Sequence, residues 1–164
     1  MKRASANRLV RHPRALSIMG LLFSAILWYF FTHWPRYRDT HLLEACGEGN
    51  TRAVWWLAHL GANLYGPYYL GVSPLMYAVR GDHKEVVQVL LDAGDDPNNP
   101  ENLTADGGPI VAAVKTGDSE LVGILLKADA TKARRDLDGK TAIDYAKEMH
   151  RPDIESLLTG ASSH

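Results

Sequence analysis

One segment in the middle of the chain has similar copies before and after it, at nearly constant spacing. Residues 73–98 read SPLMYAVRGDHKEVVQVLLDAGDDPN. A step of 35 residues places Pro74 on Pro109, and steps of 33 residues forward and backward from these two copies give two weaker ones. Four copies in register, each with a turn and two short helical runs, predict a solenoid of stacked helix pairs.

The residue types within each copy support the same fold. A proline or a small residue opens the first helix, where no amide donor is needed. The second run is too apolar for one helix pair to bury alone, so each copy needs neighbours, and Leu90 and Leu125 should be buried between helix pairs. Trp55 and Trp56 are adjacent, and a helix cannot turn both side chains toward one core.

The repeated pattern resembles that of ankyrin repeats, D-x-x-G-x-T-P-L-H-x-A-A followed by G-H-x-E-V-V-x-L-L-L-x-x-G-A-D-x-N. The copy at residues 73–98 matches best, and residues 136–141 keep the turn as DLDGKT. The resemblance implies an all-α solenoid of four units, at about residues 40–72, 73–107, 108–140 and 141–164. Two departures are an acidic Asp95 where the pattern has a small alanine and a longer, irregular link at residues 98–107.

The resemblance also implies where a partner protein would bind. In ankyrin repeats the hairpin tips and the exposed ends of the first helices line a concave face. The residues predicted to contact a partner are Tyr65, Tyr68, Tyr69, Leu70, Val72, Arg80, Lys115, Thr116, Leu137, Lys140, Glu148 and Met149. Tyrosines are typical interface anchors. In the alternative interpretation, the three tyrosines pack locally against Trp55, Trp56 or a bilayer.

The chain before the repeats has a different character. Residues 16–34 carry no charge and, as a helix, match the thickness of a bilayer core. Aromatic residues at the end of this run favour the headgroup region. The sequence therefore predicts a transmembrane signal anchor at residues 16–34. The alternatives are a buried globular helix and a cleaved signal peptide, although small residues suited to cleavage are missing from residues 31–35.

The charges flanking this run predict its orientation. Five basic residues and no acidic residue precede it, at Lys2, Arg3, Arg8, Arg11 and Arg14. Residues 1–15 should therefore stay in the cytoplasm, and the ankyrin-like domain at residues 35–164 should lie on the other side. The prediction is a single-pass protein of the inner (cytoplasmic) membrane with a periplasmic domain. An arginine-rich start with few acidic residues leaves the mitochondrial inner membrane as an alternative.

Charge and residue spacing argue against several classes of function. Residues 35–164 hold 13 basic and 19 acidic residues, so nucleic acid is not an expected partner. The histidines have no metal-binding spacing, and the one cysteine, Cys46, is expected to be a buried structural thiol. We therefore expect no enzyme activity, no metal, no cofactor and no small-molecule substrate.

The prediction is a small, membrane-anchored ankyrin protein of bacterial type that binds another protein. One expected role is to neutralise a toxin or effector, as an immunity protein does. The alternatives are a structural or assembly factor of a membrane complex and a regulator of an envelope enzyme. Fold alone does not decide between them.

Overall fold

Helices make up the regular structure of the part of the chain that the structure describes. The computed structural model describes residues 13–65, 72–100 and 107–160. The helices there are α1 Pro13–Gly47, α2 Thr51–His59, α3 Pro74–Arg80, α4 Lys84–Asp92, α5 Pro109–Thr116, α6 Ser119–Lys127, α7 Ala142–Glu148 and α8 Pro152–Thr159. No β-strand lies in these three ranges, and the predicted all-α fold class is confirmed for them.

The chain divides into two compact units, Met1–Pro35 and Arg36–His164. Helix α1 contains the boundary, and Pro35 within it has no amide N–H to donate to the helix. Among the residues that the structure describes, none of the helices combines the length and the apolar character needed to cross a membrane. The structure therefore does not support the span predicted at residues 16–34.

The helices of the second unit pack in two rows. Within the later repeats, α3 contacts α4, α5 contacts α6 and α7 contacts α8. Between repeats, α2, α4, α6 and α8 contact one another in turn, and so do α3, α5 and α7. One row thus holds the second helix of each repeat and the other row holds first helices, as expected for stacked helix pairs.

Proline and capping side chains mark the starts of these helices. Three of the helices α2–α8 begin at a proline, whose missing amide N–H costs nothing in the first turn. They are α3, α5 and α8, which begin at Pro74, Pro109 and Pro152. Helix α7 instead follows a capping box, in which Thr141 and Asp144 each accept the other's backbone amide.

The residue before the second helix of each repeat serves one of two purposes. The four residues at this position are Asn50, His83, Asp118 and Arg151. The short side chains of Asn50 and Asp118 accept amides of the helix that they precede. The longer side chains of His83 and Arg151 reach back to the carbonyl oxygens of Gly47 and Gly117 in the preceding repeat. Short residues here cap the helix that follows, whereas long residues bond to the backbone of the preceding repeat; Asp118 additionally pairs with Lys84 of the preceding repeat at 3.0 Å.

The core runs through all the helix pairs of the second unit. Leu90 and Leu125 are fully buried, as the sequence predicted. In the first repeat the buried residue of α2 is Val54, while the neighbouring Trp55 and Trp56 are 42% and 56% exposed. The two indole rings meet edge to face, with centroids 4.9 Å apart. Both tryptophans therefore lie on the surface of this repeat.

Two polar groups lie in the core near the second repeat. Cys46 is a free, buried cysteine. Burial, and after it the negative charge of Asp95, raises the pKa of the Cys46 thiol to about 12. The thiol is therefore protonated at neutral pH and contributes packing rather than reactivity. Asp95, which replaces the small alanine of the repeat pattern, is itself buried.

Candidate protein-binding surface

The first hairpin tip contacts the protein's own second repeat. Tyr68, Tyr69 and Leu70 lie outside the described residues. Tyr65 is half-buried, and its hydroxyl donates to the carbonyl oxygen of Gly94 and accepts the amide of Asp96 at 3.2 Å. Burial is the largest cause that raises the pKa of Tyr65. The Tyr65 hydroxyl therefore forms hydrogen bonds between the first and second repeats.

Val72 is the other described residue of this tip that the sequence assigned to a partner. It is half-buried and packs against the hydrophobic core. Its side chain therefore contributes to the start of α3 rather than standing out from the surface. Contact of this tip with another protein stays a prediction.

The remaining predicted residues come together at one end of the first-helix row. Because α3 contacts α5 and α5 contacts α7, the ends of these helices follow one another. They present Arg80 on α3, Lys115 and Thr116 on α5, and Glu148 and Met149 at the end of α7. Leu137 and Lys140 lie on the hairpin tip that precedes α7.

The ring of Tyr145 on α7 is the centre of a polar network. Lys115 and Lys140 place their ammonium groups 4.4 Å and 5.3 Å from the ring centroid, within the range of cation–π attraction. The Tyr145 hydroxyl donates to Asp136, and Lys115 lies 3.4 Å from the same carboxylate. Lys140 also pairs with Glu148 at 2.6 Å. We call these five residues the Tyr145 network.

The carboxylate of Asp136 holds the hairpin tip closed. Its side chain is only 2% exposed. One carboxylate oxygen accepts the amides of Asp138 and Lys140, both at 3.0 Å, and the backbone amide of Asp136 donates to the carbonyl oxygen of Lys140. These bonds form a compact turn over residues 136–140, which we call the fourth finger.

The Tyr145 network also makes the stability contributed by Asp136 depend on pH. The hydrogen bond from Tyr145 is the largest cause that lowers the pKa of Asp136, and desolvation acts against it. The same hydrogen bond raises the pKa of Tyr145. A carboxyl with a lowered pKa in the folded state stabilises the fold at neutral pH. This contribution is lost as the pH falls through the lowered pKa of Asp136.

Two apolar side chains stand out beside these charges. Leu137 at the tip of the fourth finger is 84% exposed, and Met149 after α7 is 41% exposed. An apolar group held on a rigid turn and surrounded by charged residues is typical of a protein interface. In the described residues, no group of three or more His, Cys, Asp or Glu side chains is placed to hold a metal ion.

The sequence prediction missed Asp136 and Tyr145. Both positions carried a usable signal, because Asp136 opens the D-x-x-G turn and Tyr145 lies one period after Ala112 on a first helix. An aromatic residue at that position, close to two lysines in the repeat register, favours a cation–π cluster.

Comparison with known proteins supports the repeat fold that the helix pairs form. Residues 22–101 match the family model of ankyrin repeats (3 copies). Human mitochondrial disaggregase is 38% identical over 87 residues, which are 53% of this chain and 12% of that protein. Human ankyrin repeat and KH domain-containing protein 1 is 32% identical over 104 residues, 63% of this chain and 4% of that protein.

A third relative has a length similar to this chain. Human cyclin-dependent kinase inhibitor 2A is 28% identical over 123 residues, which cover 74% of this chain and 76% of that protein. The chain spans only a small part of the first two relatives. The family match at residues 22–101 and the stacked helix pairs together show that this chain carries ankyrin repeats, with an all-helical fold in the residues that the structure describes.

Proposed function

We propose that this chain is a non-catalytic module that binds another protein through the Tyr145 network and the fourth finger. The observation that carries the proposal is Leu137, which is 84% exposed on a turn closed by a buried carboxylate. A large exposed apolar side chain on a fixed turn loses little conformational freedom when it binds. Leu137 is therefore the proposed anchor of the interface, and Met149 at the end of α7 is proposed as a second apolar contact.

The charges around Leu137 support the same surface. Lys115 and Lys140 are each held over the Tyr145 ring and paired with a carboxylate. Side chains that are already positioned give up less entropy on binding than free lysines do. The network thus offers a partner an apolar anchor within a fixed pattern of charge.

Site-specific photocrosslinking tests this proposal in cells that express the full chain. A photoreactive phenylalanine analogue replaces Leu137 in one variant and Gln88 in the control. Gln88 is also exposed, but it lies on α4 in the other row of helices. We expect a crosslinked protein of one size from position 137 and none from position 88. Equal products from both positions, or none from position 137, would contradict the proposal.

A third variant with the analogue at Tyr68 tests the first hairpin tip. A product at Tyr68 of the same size as that at Leu137 would extend the interface to this tip. A product at Tyr68 alone would move the proposed interface from the fourth finger to the first.

The finer role is also a proposal and rests on the sequence resemblance. The chain would neutralise a toxin or effector by binding it. One alternative is a structural or assembly factor of a membrane complex, and the other is a regulator of an envelope enzyme. The name of one relative, cyclin-dependent kinase inhibitor 2A, describes a protein that inhibits an enzyme, which favours regulation among the alternatives. Mass spectrometry of the crosslinked protein separates the three roles.

Membrane display is proposed from the sequence alone. Its support is the uncharged run at residues 16–34 and the five basic residues before it.

A reporter that is active only outside the cytoplasm, fused after His164, should be active in a bacterial host, and the protein should sediment with membranes. A control fusion in which Lys2, Arg3, Arg8, Arg11 and Arg14 become glutamine should lose part of this activity. An inactive reporter on a membrane-bound wild type would contradict the orientation, and a wild type free of membranes would contradict the anchor. The alternative location is the mitochondrial inner membrane.

A further inference from the structure

A cleft lies between the ends of α3 and α5. It has a volume of about 300 Å³ and is lined by Arg80, Ala112, Lys115 and Thr116. The small side chain of Ala112, only 4% exposed, leaves room here. The equivalent positions in the repeats before and after carry the large residues Tyr77 and Tyr145. The cleft thus follows from one small residue in a row of larger ones.

The lining of the cleft is suited to an anion. Two of its four lining residues are cations, and none of them is acidic. Both cations also interact with other groups of the chain. A guanidinium has five N–H donors and an ammonium has three, so one further carboxylate can be accepted without breaking every existing contact. The Thr116 hydroxyl donates to the carbonyl oxygen of Ala113 at 2.8 Å, so the charged donors among the lining residues are those of Arg80 and Lys115.

Glutamates lie at or close to the equivalent positions in the neighbouring repeats, where the direct equivalent of Arg80 in the first repeat is Gly47. Glu44 and Glu48 are exposed in the first repeat, one period before Tyr77 and Gly81. Glu148 follows one period after Lys115. The order along the first-helix row is therefore acidic, basic, basic and acidic. Such a pattern fixes the register of a partner, because a shift by one repeat brings like charges together.

We propose that this cleft receives an acidic side chain of the partner protein, held between Arg80 and Lys115. The inference rests on the proposed protein-binding function and adds the chemistry of one contact. Arginine and carboxylate groups form two parallel hydrogen bonds, which add direction to the charge attraction. The volume of about 300 Å³ between Arg80 and Lys115 accommodates the aliphatic part of a glutamate.

Selection from a displayed library of random peptides tests the proposal with the full-length chain as bait. We expect peptides that bind the wild type to be enriched in aspartate or glutamate at one position. Selection on the double variant Arg80→Glu/Lys115→Glu should yield lysine or arginine at that position instead. Enrichment of the same peptides by both baits would overturn the proposal.

A double-mutant cycle on one selected peptide then identifies the contact. Arg80→Gln should weaken binding by about tenfold or more, as expected when a hydrogen bond to a charged group is lost. Replacing the acidic residue of the peptide with its amide should cause a similar loss, and the two losses should not multiply. Arg80 is chosen because Lys115 also holds Asp136. The control Lys127→Gln, which removes an exposed cation at the end of α6, should leave affinity unchanged.

The remaining outcomes separate this proposal from the proposed function. Peptides that lose binding with Leu137→Asp but not with Arg80→Gln would overturn the acidic contact and keep the interface. Peptides that respond to neither substitution would overturn both. If inorganic phosphate binds the wild type but not Arg80→Gln, while the peptides show no acidic preference, the cleft is a site for small anions and the proposal fails.

Discussion

Replacing Leu90 with alanine is expected to lower the free energy of unfolding by about 2–5 kcal/mol, as in other tight cores. Leu90 is fully buried on α4, which contacts α2 in the repeat before and α6 in the repeat after. The substitution therefore opens a cavity beside both neighbours. Because each repeat is stabilised by adjacent repeats, the loss should spread beyond α4. Urea titration of the full-length chain measures the loss, and amide hydrogen exchange in α2 and α6 measures its spread.

The matched control is the same substitution at an exposed leucine. Leu137→Ala removes the same atoms from a side chain that is 84% exposed, so unfolding should change by no more than about 0.5 kcal/mol. Equal unfolding midpoints for Leu90→Ala and Leu137→Ala would show that the packing register between repeats is wrong. A loss confined to α4, with normal exchange in its neighbours, would contradict the coupling between repeats.

Replacing Gly107 with alanine should destabilise both the fold and the fourth finger. Gly107 has a φ of 83°, which costs a residue with a Cβ about 1–2 kcal/mol. A Cβ here would lie 3.0 Å from the backbone nitrogen of Asp136 in the next repeat, and forcing such a contact adds about 1–3 kcal/mol. The added Cβ should displace Asp136, which closes the fourth finger, so binding at Leu137 should weaken as well. Thermal unfolding and the photocrosslinking yield measure the two effects.

Gly94→Ala separates the two causes of this effect. Gly94 has a φ of 94°, but a Cβ added there meets no atom within 4 Å. This variant should therefore show the cost of the left-handed backbone without the contact and should keep the crosslink at Leu137. If Gly94→Ala and Gly107→Ala are equally destabilised and crosslink equally well, the approach of Gly107 to Asp136 contributes nothing to the finger.

Local features of the fold were predictable because neighbouring residues decide them. The period of the repeats placed Pro74 and Pro109 at helix starts, where their missing amide N–H groups are harmless. The same period predicted that Leu90 and Leu125 are buried. These features depend on short stretches of chain, which a single sequence describes fully.

The contacts within the binding surface were not predictable in the same way. The sequence named Lys115, Lys140 and Glu148 separately, but it did not place Tyr145 between the two lysines or Asp136 beneath them. The contacts of Lys115 with Tyr145 and Asp136 join distant parts of the chain and depend on how closely α5 and α7 pack. A shift of a few ångströms between helices would abolish the cation–π contacts, and the repeat period alone does not define that distance.

The sequence by itself determined that four repeated segments form helix pairs and that their leucines are buried, because periodicity and proline positions act within each segment. Only the tertiary structure decided which exposed side chains form one surface. It joined Tyr65 to the backbone of the next repeat and brought Lys115 to the Asp136 carboxylate. The physical reason is that these hydrogen bonds require groups distant in sequence to meet within about 3 Å, which only the packing of neighbouring repeats can arrange.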